Sequence, residues 1–218
     1  MTPRPRRFRF PGRVYAIVDT GVRGRTSLLE LTAALLEGGV RVLQLRAKDL
    51  STRELCDLAR TLRPLCTRRE ALFLVNDRPD VARLVGADGV HLGQSDLPPR
   101  QARRIVGEDA IIGLSTHNLA QVREADRLDS VDYIGFGPLF ATTSKSDTEA
   151  CQGIEGLRAA RSSTSLPLTA IGGLSADSAA EALAAGADAV AMIGALARAE
   201  DPAALVRALE AMPAQTGG

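Results

Sequence analysis

The chain has 218 residues, 45% hydrophobic and 24% charged, with a formal net charge of +1. These values fit one large or two small globular domains and exclude a strong electrostatic hold on nucleic acid or an anionic membrane. No apolar run approaches the roughly 20 residues that span a bilayer, and with no Trp and 3% aromatic residues the core must be aliphatic and a base-stacking surface is not expected.

The first thirteen residues carry Arg4, Arg6, Arg7, Arg9 and Arg13 among three prolines. They lack the continuous apolar stretch of a secretory leader. Residues 1–13 are expected to be a flexible, solvated basic tail, with a nucleic-acid arm as the sharper alternative. From there, short β-rich apolar runs alternate with segments of helical character. The predicted strands cover 14–18, 40–45, 72–76, 89–92, 111–115, 133–136, 168–171 and 189–193. The predicted helices cover 27–37, 51–68, 79–85, 98–106, 118–127, 154–162, 176–185 and 202–211. Ser51 with Glu54 three residues on is a capping box, Asn118 can cap its helix, and Pro98 and Pro202 suit first turns.

Strict alternation of strand and helix argues for a parallel sheet covered by helices, whose strands read as continuous apolar runs. Eight such units fit a single (βα)8 TIM barrel over residues 14–212, with a second flexible tail at 213–218. A doubly wound open sheet is the alternative; the missing G-x-G-x-x-G after the first strand counts against its dinucleotide-binding form. The lead-ins to the even strands repeat: Glu37-Gly38-Gly39-Val40, Gly86-Ala87-Asp88-Gly89-Val90, Ser130-Val131-Asp132-Tyr133 and Gly186-Ala187-Asp188-Ala189-Val190. Good helix-to-strand turns explain each one singly but not their order. Cys56, Cys66 and Cys151 have neither metal-ligand nor redox spacing, which fits a reducing cytoplasm.

Of 27 basic residues only two are lysines, Lys48 and Lys145, and both stand where a strand runs out into a loop. A compact ammonium and a planar guanidinium are not interchangeable at a point-charge contact. Two such lysines among small, hydrogen-bonding neighbours point to two anionic groups on a substrate, with phosphates as the natural choice. In a barrel of this kind chemistry sits at the carboxyl ends of the strands. There the sequence gathers Gln44, Arg46 and Lys48, then Asn76, Asp77 and Arg78, then Gly93, Gln94 and Asp96. Ser115, Thr116 and His117 follow, then Gly137, Thr142, Ser144 and Lys145, and last Gly172, Gly173 and Gly194. Asp77 and Asp96 end neighbouring strands; as hard oxygen ligands they suit Mg²⁺ shared with a phosphate, unless each merely caps the helix after it. Gly172-Gly173 and Gly194 fit a phosphate site made of backbone N–H groups. His117 is read either as a proton-transfer group or as a structural histidine, and His91, inside its strand, as a packed residue.

The segments QLRAK at 44–48, NDR at 76–78, GADGVHLGQSD at 86–96, GLSTH at 113–117, DYIGFGPLFATTSK at 132–145 and AIGGL at 170–174 together resemble the thiamine phosphate synthase family. The resemblance implies a (βα)8 enzyme, a transferase, that joins a hydroxymethylpyrimidine diphosphate to a thiazole phosphate, plain or carboxylated, and releases pyrophosphate. It implies that Gln44, Arg46, Lys48, Asn76, Ser115 and Lys145 contact the pyrimidine diphosphate, and that Asp77 and Asp96 hold Mg²⁺. Thr142, Ser144, Gly173, Ile193 and Gly194 match the thiazole-phosphate site. Arg46, Lys48, Ser115 and Lys145 are the residues expected to carry catalysis. The family commonly has Ser where this chain has Gly194, so a hydroxyl contact is missing there. A thiazole tautomerase on the same barrel is the nearest alternative, but the diphosphate and metal set argues against it. A single-phosphate epimerase or aldolase barrel leaves the second lysine unexplained. The expected partners are small-molecule substrates, without nucleic acid or membrane; homo-oligomerisation is left open.

Overall fold

The computed structural model describes residues 8–22, 25–141 and 150–212. Its first half runs β1 (Val14–Asp19), α1 (Arg25–Gly38), β2 (Val42–Arg46), α2 (Thr52–Arg68), β3 (Leu72–Asn76), α3 (Pro79–Val85), β4 (Gly89–Leu92) and α4 (Pro99–Val106). The second half runs β5 (Ile111–Thr116), α5 (Leu119–Asp126), β6 (Tyr133–Phe136), α6 (Gly153–Arg161), β7 (Leu168–Ile171), α7 (Ala176–Ala184), β8 (Ala189–Met192), α8 (Gly194–Arg198) and α9 (Pro202–Glu210). All neighbouring strands are parallel, and β8 pairs with β1 to close an eight-stranded barrel. Among the described residues no helix is long and apolar enough to cross a membrane.

The apolar residues form two layers, as a parallel sheet with one covered face and one enclosed face requires. One layer lies between strands and helices and is aliphatic, built on residues such as Leu28, Leu43, Leu62, Val90 and Leu168. The other fills the barrel interior with Tyr15, Ile17, Val42, Leu74, Tyr133, Ala191 and Ile193. The capping box of Ser51 and Glu54 opens α2, and Asn118 caps α5 by accepting from Gln121 N at 3.0 Å. Strand β2 starts two residues later than expected. Val40 is absorbed by the turn that closes α1, where Gly39 takes a φ of 110° and Val40 N donates to Leu35 O.

The repeated lead-ins acquire a physical reason at the barrel floor, the amino-terminal end of the strands. Asp88, Asp132 and Asp188 each use Oδ2 to accept a backbone N–H near the start of the preceding odd strand, from Phe73, Ile112 and Leu168 at 2.7, 2.8 and 2.8 Å. Each is also clamped by an arginine from an earlier even helix: Arg63 at 3.2 Å, Arg103 at 2.6 Å and Arg161 at 3.0 Å. For β1 the same service comes from Glu210 on α9, whose carboxylate accepts from Arg13 N and Val14 N at 2.9 Å each. The period of two strand–helix units is therefore the period of a carboxylate that satisfies the first N–H groups of every odd strand.

The floor also corrects the expected tail. Phe8 and Phe10 pack under the interior cluster, with ring centroids 5.3 and 5.2 Å from Tyr133. The packed chain thus begins ahead of residue 14. Residues 1–7 and 213–218 lie outside the described residues.

Candidate active site

At the opposite end the strands open onto the predicted polar residues. Strand β2 brings Gln44 into the interior, 2% exposed, and sets Arg46 at its carboxyl end. Arg46 Nη1 meets Asp19 Oδ2, the last residue of β1 and its register partner, at 2.5 Å. Asp19 is nearly fully buried, so the pair holds the guanidinium in one place. Lys48, two residues further on, is exposed and reaches across to Asp77, with Nζ 3.3 Å from Oδ2.

Asp77 follows Asn76 at the end of β3. It takes a left-handed φ of 62°, rare for a residue with a side chain, and its N–H donates to His91 O at 2.8 Å. Asp77 does not cap α3, whose cap position is Arg78 and carries no side-chain cap, and Asp96 does not cap α4, whose cap position is Pro98. Instead Asp96 accepts from Gly93 N at 2.6 Å and lies against Asp77. Burial, and then the neighbouring Asp96 carboxylate, push the Asp77 carboxyl up to about 6, while Lys48 pulls it down. Two carboxylates crowded together with partial burial are an unfavourable arrangement without a cation between them. Among the described residues no third His, Cys, Asp or Glu joins them. This donor set fits a hard divalent ion that draws its remaining ligands from water and a phosphate.

Strand β5 supplies Ser115, whose Oγ lies 2.9 Å from His91 Nε2 on β4. Gln94 Nε2 donates to the Ser115 carbonyl at 2.5 Å. His117 Nδ1 stands 2.6 Å from Gly137 O, a structural contact at the mouth. Across the barrel, Gly172 and Gly173 have φ of 99° and 66°. A Cβ at Gly173 would lie 2.5 Å from Ala141 O, so the backbone of the β6 loop can approach only a glycine. Ile193 is the cap of α8 and makes no side-chain cap bond, and Gly194 is that helix's first residue. The sequence reading did not anticipate α8, because five residues directly after a strand carry no capping signature. Thr142, Ser144 and Lys145 lie outside the described residues.

Sequence reasoning named most of the mouth but missed what holds it. Asp19 was hidden at the end of an apolar run, and Tyr15 and Tyr133 stood out only as members of predicted strands. An acidic residue closing the apolar run and the rarity of tyrosine, two in the chain, were the available signals.

The thiamine monophosphate synthase family pattern matches residues 14–196, which takes in β1 through most of α8. The chain belongs to this family. A thiamine-phosphate synthase of Chloroflexus aurantiacus is 44% identical over 94% of both chains. Another, of Moorella thermoacetica, is 42% identical over 94% of this chain and 97% of its own. Among solved structures, the thiamine phosphate pyrophosphorylase of Pyrococcus furiosus superposes with a TM-score of 0.82 at 38% identity, covering 90% of this chain and 93% of that one. As a member of the thiamine monophosphate synthase family the chain is an enzyme, a transferase, and its mouth is the place to seek the chemistry.

Proposed function

We propose that this transferase makes thiamine phosphate, joining a hydroxymethylpyrimidine diphosphate to a thiazole phosphate and releasing pyrophosphate. The observation that carries the reading is the cluster of Lys48, Asp77 and Asp96 beside the anchored Arg46 at the mouths of β2 to β4. In this reading it is a site for a diphosphate and a cation.

In this reading Asp77 and Asp96 hold Mg²⁺, which when bound neutralises charge on the diphosphate. Arg46 and Lys48 bind the same group, with Lys145 as a further cation. Their donors act most strongly as the C–O bond lengthens and its electrons collect on the leaving pyrophosphate. Gln44 and Asn76 hold the pyrimidine end, whose ring stabilises the cationic methylene left behind, and Ser115 reaches the diphosphate. The thiazole nitrogen then forms the C–N bond with its own lone pair. No proton has to move, so the site needs no obligatory general base. Thr142, Ser144, Gly173, Ile193 and Gly194 bind the thiazole phosphate and so set the approach of that nitrogen. The carboxylated thiazole phosphate is an acceptor to test alongside the plain one.

The test is an end-point assay with both substrates and Mg²⁺, with an EDTA control. Product that disappears with EDTA is expected. Folded protein that makes no thiamine phosphate overturns the reading.

A further inference from the structure

A line of side-chain hydrogen bonds crosses the barrel interior beneath the mouth. Gln44 Nε2 donates to the Tyr15 hydroxyl at 2.5 Å, and the Tyr15 and Tyr133 hydroxyls are 2.7 Å apart. The Tyr133 hydroxyl lies 2.8 Å from His91 Nδ1, and His91 Nε2 lies 2.9 Å from Ser115 Oγ. The two ends, Gln44 and Ser115, face substrate in the reading above. The three middle members have no part in it.

Counting protons gives the line a direction. Each hydroxyl has one proton to give. Tyr15 receives from the Gln44 amide, and the Tyr133 oxygen is the acceptor within reach for its buried proton, so Tyr15 donates to Tyr133. Tyr133 in turn gives its proton to His91 Nδ1. A neutral imidazole that accepts at Nδ1 carries its proton on Nε2 and donates it to Ser115 Oγ. Ser115 Oγ then accepts from His91, so its own O–H is not spent on the imidazole and can point at a ligand. The reverse direction either turns the Gln44 amide over or leaves the buried Tyr15 proton with no acceptor in the line. Burial raises both tyrosine hydroxyls above their ordinary range, so both keep the protons the line needs.

The surroundings are built for this contact. A Cβ at Gly113 would lie 2.1 Å from Tyr133 Cζ and 2.5 Å from His91 Nδ1. A glycine in mid-strand weakens the strand, and here it opens the space in which hydroxyl and imidazole meet. Phe8 and Phe10 close the floor against the tyrosine rings and keep water from competing.

We propose that Tyr133, backed by Tyr15, is a positioning residue that fixes His91 as its Nε2–H tautomer and thereby presents the Ser115 O–H as a donor to the substrate diphosphate. This rests on the diphosphate reading. A donor aimed at an oxygen gaining negative charge matters more in the transition state than in the bound state.

The chain has only two histidines, so one spectrum reads both. His117 Nδ1 faces a carbonyl that can only accept, so it must carry a proton there. Long-range ¹H–¹⁵N spectra of tag-free full-length protein, assigned with His117→Gln, should show His91 protonated on Nε2. Tyr133→Phe should release that tautomer and lower kcat by about 10- to 100-fold, the span of one charge-assisted hydrogen bond, with a much smaller change in KM. In a Ser115→Ala background the same substitution should cost little more, because its effect passes through Ser115.

An Nδ1–H His91 in the active wild type overturns the proposal, and so does an equal loss in both backgrounds. The wild-type spectrum decides the tautomer even where Tyr133→Phe fails to fold. A wild type that makes no product overturns the diphosphate reading, whereas product with an Nδ1–H His91 overturns this proposal alone.

Discussion

Lys48 Nζ and Asp77 Oδ2 stand 3.3 Å apart across the mouths of β2 and β3, the lysine exposed and the carboxylate largely covered. The contact offsets only part of what it costs to keep Asp77 charged beside Asp96. Its carboxyl still sits at about 6, above the ordinary aspartate value of about 3.9. Between those two values the folded protein binds more proton than the unfolded chain, so this group's contribution to stability falls as pH rises through the window. Asp77→Asn removes that loss. The variant should melt like wild type near pH 4 and above it at pH 7.5. The gain should be about 1–2 kcal/mol, because solvent at the mouth screens the full effect. Turnover should fall by about 100-fold or more, and Mg²⁺ should raise the wild-type melting temperature but not the variant's. A pH series of thermal melts with and without Mg²⁺ checks all three.

Lys145→Ala should reduce kcat by about 100-fold with the far-ultraviolet spectrum and melting temperature unchanged. Steady-state rates with both substrates check this. A wild-type rate would remove the argument drawn from a chain with only two lysines.

Gly194→Ser tests the one departure from the family's pattern. A Cβ there would lie 2.6 Å from Arg198 Nη2, the far end of a flexible, exposed side chain that can swing away. The variant should fold normally and lower KM for the thiazole phosphate by about three- to tenfold, the worth of one hydrogen bond. Initial rates at varied thiazole phosphate measure it.

Asp132→Ala should destabilise by about 3 kcal/mol with little change in kcat, because it strands the buried Arg103 guanidinium. Asp188→Ala should cost less, about 1–2 kcal/mol, since Asp188 and Arg161 are more exposed. Urea midpoints at unchanged m-value measure both.

Strands β3, β4, β6 and β7 fall where hydrophobic runs bounded by turn residues put them, because a covered parallel strand has to be apolar from end to end. Asp77 and Asp96 were legible as a pair, since their types and spacing after successive strands survive folding unchanged. Whether they capped helices was not legible, and the free caps of α3 and α4 answer it. The line from Gln44 to Ser115 could not be read at all. It joins five residues on five strands, and only the register of a closed barrel turns them inward together.

Glu210 joins the last helix to the backbone of the first strand, and Val190 N on β8 donates to Arg13 O beside it. The first strand thus waits for the far end of the chain: its amino-terminal N–H groups find their acceptor only after nearly two hundred further residues have been made. Closure of the ring is a late event that binds both ends of the barrel to one face. The mouth is thereby left to the loops that follow the strands, while the first strand and the last helix are tied together on the opposite face.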